Sequence, residues 1–130
     1  MYHESMHKAR VLIAFGGLAL LLAALRLTAF QDDLDSLKVC HETQKLVFEN
    51  GFVRVIDDSI PPGAAEPRHR HPHGVVITLA DAQTETRTSP DDPWRKGASK
   101  FGNVGWSEPT VHEVRNVGTQ PTHWIRIDLK

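Results

Sequence analysis

Two hydrophobic periods divide the chain. Val11 to Leu25 (VLIAFGGLALLLAAL) is an unbroken run of apolar residues and glycine, approached through Lys8 and Arg10 and ended by Arg26. A basic start followed by a short apolar run is the layout of a secretory signal peptide. The run is shorter than the ~20 residues needed to cross a bilayer as a helix. Residues 1–29 are therefore expected to be a signal peptide cut after Ala29. The competing expectation is an uncleaved apolar anchor helix with Arg26 reaching to the interface, so that any membrane contact runs through residues 11–25. Both export the rest of the chain to the periplasm or extracellular space, or hold it at a membrane. A buried core helix fits less well, because such a helix would be apolar all round. Residues 30–44 are weakly patterned and acidic at first, and read as a linker or a short helical turn.

From Lys45 the period becomes two. Lys45 to Glu49 and Phe52 to Ile56 flank Asn50-Gly51, the signature of a hairpin turn. Pro61-Pro62-Gly63 stops the chain. His73 to Leu79, Ala82 to Thr88, Ser99 to Trp106 and Val111 to Val117 read as further short strands, with Ser89 to Gly97 as a loop. Pro121 to Leu129 alternates, with Trp124, Ile125, Ile127 and Leu129 as its apolar set. Seven or eight short strands with regular turn signals predict an all-β sandwich or barrel over residues 45–130.

Composition narrows the chemistry. The 130 residues allow one ordinary domain, and 15 Lys+Arg against 16 Asp+Glu leave no basic surplus for nucleic acid. The one cysteine, Cys40, excludes an intramolecular disulfide framework and multi-cysteine metal sites. The eight histidines are many for this length. His69 and His71 are two apart, so on a strand both imidazoles point to one face. His112 lies on a later strand that a sheet could bring alongside. Imidazole is a favoured ligand of Fe, Mn, Ni, Cu or Zn, and three histidines with open positions make a reactive rather than a closed structural metal site.

The stretch from Gly63 through His69-Arg70-His71, together with His112-Glu-Val-Arg-Asn116, resembles the two sequence signatures of the cupin superfamily, as do Ile60 to Gly63 and Asn116 to Pro121. The resemblance spans about residues 46–129. It implies a single-domain jelly-roll β-barrel, here preceded by the N-terminal apolar helix. It also implies a divalent metal in the barrel mouth and a homodimer paired through strand edges. Carried over residue by residue, His69, His71 and His112 match the family's histidine ligands. The family's glutamate falls at Val75 or Val76. His73, which continues the spacing beyond Pro72, is the expected stand-in, with Glu66 and Glu113 as further candidates. Arg54 and Arg126 could bind an anionic substrate. Two functional readings follow. One is a small metal-dependent enzyme acting on a small organic molecule by oxygenase, lyase or isomerase chemistry. The other is a non-catalytic module that binds a small molecule or metal through a degenerate site.

Overall fold

The computed structural model describes residues 33–130, in which Leu34–Lys130 form one compact unit. The apolar run, its expected helix and the expected cut after Ala29 lie outside the described residues. A single helical turn, α1 (Ser36–Val39), opens the unit, and Asp35 caps it by accepting from the Leu37 amide at 3.0 Å. The entry segment expected to be a linker is thus partly built into the domain. Ser36 and Cys40 are buried, the Arg70 amide donates to the Leu34 carbonyl at 2.7 Å, and the Asp35 carboxylate holds Arg54 at 2.7 Å.

Nine strands follow: β1 (Gln44–Glu49), β2 (Val53–Asp58), β3 (Ala65–His71), β4 (Gly74–Thr78), β5 (Ala82–Arg87), β6 (Arg95–Ser99), β7 (Val104–Ser107), β8 (Thr110–Asn116) and β9 (Trp124–Leu129). They form two antiparallel sheets, ordered β1-β2-β9-β4-β7 and β3-β8-β5-β6. The expected hairpin is β1–β2, whose turn is held by Asn50 Oδ1 accepting from the Phe52 and Val53 amides. The expected strand over 99–106 is instead two strands. Lys100 to Asn103 turn between them with Gly102 at φ 82°, and the preceding loop gives up Arg95–Gly97 to β6.

The two sheets differ in which face is polar. On β9 the buried residues are Arg126 and Asp128, while Ile125, Ile127 and Leu129 turn to the opposite face. Register places Ile127 between Val55 and Val75, and Ile125 beside Ile77, so the outer face of the larger sheet is an apolar layer. Trp106 sits opposite Val75 on this layer and is 58% exposed. The outer face of the smaller sheet is ionic. Arg115 pairs with Glu85 and Arg87 with Glu113, and Trp94 lies between the two guanidiniums at 4.6 and 4.3 Å.

Two local devices hold the strand ends. Gly74 lets β4 approach β9, since a Cβ there would stand 2.5 Å from the Ile127 carbonyl oxygen. Asn116, fully buried, donates to the Ile60 and Gln120 carbonyls and accepts from the Gly118 amide, tying the end of β8 to the turn before β9.

Candidate metal centre

The site begins with a break in strand regularity. Residues three apart on a regular strand face opposite ways. In β3 the register slips between Glu66 and His69, so both point inward. Pro67 sits in this bulge, where a residue without an N–H costs no ladder hydrogen bond. Beyond the bulge regular alternation returns, and His69 and His71 share the inner face. His69 is the register partner of His112 on β8.

The three imidazoles converge. Their ring centroids are 4.7, 4.8 and 5.6 Å apart, and one ligand nitrogen from each lies within 4.8 Å of the others. His69 Nδ1 is 2.7 Å from the Pro67 carbonyl. A carbonyl can only accept, so Nδ1 carries the proton and Nε2 presents a lone pair. His69 Nε2 is 3.1 Å from His112 Nε2. That is the separation of two nitrogens sharing one ion at ~2.0–2.1 Å. His71 Nδ1 is buried without a hydrogen-bond partner, 3.6 Å from Asp128 Oδ2. A carboxylate behind a ligand histidine orients the ring and raises its basicity.

Burial keeps two of these rings neutral. Burial lowers the His71 pKa to about 4, with Arg126 and His69 adding to the effect and Asp128 opposing it. Burial, then His69 and His71, lowers His112 to about 3. Asp128 moves the other way from its burial. Desolvation would raise its pKa, but His71 and Arg126 outweigh it and hold the carboxylate ionised. Neutral imidazole is the metal-binding form, so both rings are ready ligands at neutral pH.

The histidines line a cavity of about 170 Å³ between the sheets. Val76, Val114 and Trp124 form its apolar wall, Thr84 and Thr86 add hydroxyls, and Asp58, Glu66 and Arg126 complete it. Of the two valines at the expected glutamate position, Val76 faces this cavity, whereas Val75 pairs with Trp106 and Ile127 on the outer layer.

His73 does not join the cluster. β3 ends at His71, and the Pro72 carbonyl accepts from Arg126 at 3.0 Å. The chain then turns, and the His73 side chain, 53% exposed, stacks on Trp106 and pairs with Glu108 at 3.1 Å. Proline interrupts the two-residue spacing on which that expectation rested. Glu113 faces outward to Arg87, as its place beside His112 requires.

Of the three expected stand-ins, Glu66 is the one that reaches the histidines. It is 2% exposed, with Oε2 3.5 Å from His69 Nε2, and it receives Thr43 Oγ1 at 2.5 Å and Gln44 Nε2 at 3.1 and 3.2 Å. Cys40, Glu66 and His69 form a second group able to hold a metal, sharing His69 with the first. Cys40 is therefore buried beside Glu66 and His69. Burial, then Glu66 and Asp58, pushes its thiol pKa far up, so it is a protonated thiol.

Arg126 is not free to bind an anionic substrate. Its Nε donates to Asp128 Oδ1, one terminal nitrogen to Ser107 Oγ at 3.2 Å and the other to Pro72. Arg54 is likewise spent on Asp35 and Asp128. His123 lies outside the barrel interior, paired with Asp57 at 3.0 Å. Sequence reading missed Asp58 and Asp128 as site residues. For Asp128 a signal was present in the alternation of β9, where Arg126 and Asp128 occupy one phase and aliphatic residues the other, whereas Asp58 shares its phase with Ile56 and carried none.

Solved structures of the same architecture put a name to it. A cupin domain from Bordetella pertussis Tohama I superposes with a TM-score of 0.60 at 21% identity, over 67% of this chain and 91% of that one. This chain has the cupin fold. An uncharacterized conserved protein with a double-stranded β-helix domain from Klebsiella pneumoniae matches at TM-score 0.53 and 19% identity, over 66% of this chain and 74% of the other. An RmlC-like cupin family protein from Methanocaldococcus jannaschii matches at 0.53 and 14%, over 66% and 77%. No family model and no curated protein matches the sequence. The strands that carry His69, His71 and His112 thus belong to a cupin barrel, and the histidines lie inside it.

Proposed function

We propose that this cupin barrel holds one divalent ion, of Fe, Mn, Ni, Cu or Zn, on His69, His71 and His112 and uses it to bind a small organic molecule in the adjoining cavity. The carrying observation is the His69–His112 contact, with Nε2 facing Nε2 at 3.1 Å while the His69 Nδ1 proton is committed to Pro67. In the metal-free protein that contact needs a proton on His112 Nε2. An ion would take the place of that proton. Bound there, the ion would supply Lewis acidity and open coordination positions. The chain's own residues do the rest. Pro67 and Asp128 orient two of the rings, Val76, Val114 and Trp124 exclude water, and Asp58 and Glu66 present acceptors to the ligand. This reading includes catalysis of oxygenase, lyase or isomerase type.

A second reading, a binding module without turnover, draws on Val76. Without a carboxylate at that position the three imidazoles hold an ion less firmly. Metal analysis of the purified full chain tests the metal centre. His69→Ala, His71→Ala and His112→Ala should each lose most of the bound metal, and His73→Ala should keep it. Unchanged metal content in the three cluster variants would refute the centre. Oxygen uptake and turnover of small acids by the loaded protein then separate the enzyme from the binding module.

A further inference from the structure

Beside Glu66 the cavity is lined by a second buried carboxyl group whose hydrogen bonding is incomplete. Asp58 on β2 lines the cavity, is 8% exposed, and its Oδ1 has no hydrogen-bond partner. Its Oδ2 accepts only from Gln44 Nε2, at 3.3 Å. Gln44, 3% exposed, shares that same nitrogen with Glu66, and its own Oε1 is also unpartnered. The one guanidinium lining the cavity is committed elsewhere, to Asp128, Ser107 and Pro72. A buried acceptor without a donor is costly, and a ligand that brings the donor recovers that cost.

The two ends ask for different chemistry. Imidazole ligands bring no charge to an ion and Val76 stands where a carboxylate would offset it, so the ligand's metal-binding head gains by being an anion. At Asp58 a buried carboxyl oxygen lacks a partner, so that end of the cavity favours an amine or ammonium. The space between is small. A cavity of about 170 Å³ is close to the ~150 Å³ engineered cavity that admits benzene. We propose that the ligand is a small amino compound, with an anionic chelating head at His69, His71 and His112 and an amine or ammonium donating to Asp58. This rests on the metal-centre reading above and adds the substrate class.

The test uses the full chain loaded with Ni²⁺ and two isosteric probes, β-alanine hydroxamate and butyrohydroxamate. They share the chelating head and differ by an ammonium in place of a methyl. In titration calorimetry the amino probe should bind about tenfold tighter or more, the gain expected of a hydrogen bond to a charged group. Asp58→Asn should keep its Ni²⁺ and bring the two probes within about twofold of each other. Asp58→Ser serves if the first variant does not fold. Equal affinity in the parent protein overturns the proposal, and so does a preference that both Asp58 variants retain. Failure of both probes to bind a Ni²⁺-loaded chain also overturns it while leaving the metal centre standing. Loss of Ni²⁺ retention by the parent chain removes the metal centre and this proposal together.

Discussion

His69 is fixed at one ring nitrogen and free at the other, and that asymmetry makes the cluster a candidate ligand set. Pro67 accepts the Nδ1 proton, and Nε2 is left facing His112. At the same scale Val76 decides how strongly an ion is held. It faces the cavity across from the histidines and adds no charge. Val76→Glu should tighten divalent-metal binding by about tenfold or more, because a carboxylate adds a ligand and offsets the ion. The same change should destabilise the metal-free protein by about 1–3 kcal/mol, the cost of a buried carboxylate without a partner. Competition with a chromophoric chelator and denaturant titration of the apo protein check the two effects. The histidine identities were legible from the H-x-H spacing and the resemblance. Which valine faces in, and that His73 faces out, were not. Pro72 ends the strand, and only the register of β4 on β9 assigns the faces.

At the scale of elements, β3 and the β4–β9 pair shape the centre. The bulge around Pro67 brings Glu66 onto the same face as His69, so a carboxylate reaches the histidines from a direction that a regular strand would forbid. Gly74 permits the approach of β4 to β9. Gly74→Ala should cost about 1–3 kcal/mol, because the new methyl meets the Ile127 carbonyl, a backbone atom that cannot rotate away. Thermal or denaturant unfolding measures that loss, and an unchanged midpoint would show that the strands separate freely there. Strand existence was mostly readable from alternation and turn residues. The division of 99–106 into two strands was not, because Lys100 to Asn103 form their turn through backbone hydrogen bonds and a left-handed Gly102.

At the scale of the whole molecule, the barrel interior carries titratable groups pushed in opposite directions. His71 and His112 titrate at about 4 and 3, below the ordinary 6.5. The unfolded chain takes up protons below pH 6.5 that these rings refuse, so stability falls as pH drops from 6.5 toward 4. Burial, then the neighbouring Glu66, raises the Asp58 carboxyl well above the ordinary 3.8. The folded chain therefore keeps a proton that the unfolded chain releases, and stability falls as pH rises from 3.8 through the raised pKa. Two histidines outweigh one carboxyl below 6.5, and Asp58 acts alone just above it. The metal-free protein should be most stable near pH 6.5, with slopes of about 1.4 kcal/mol per pH unit per group. Asp58→Asn should flatten the alkaline limb, and a pH series of denaturant midpoints reads both limbs. The sequence by itself determined a β domain of short strands, its main turns and the histidines able to bind metal, because period, turn chemistry and residue type are local properties. Only the tertiary structure decided that β9 turns Arg126 and Asp128 inward and its isoleucines outward. Alternation says that two faces differ, and the packing of one sheet against the other says which face is inside. The same packing brought Asp58, Glu66 and Val76 to the histidines, contacts between distant strands that no spacing along the chain encodes.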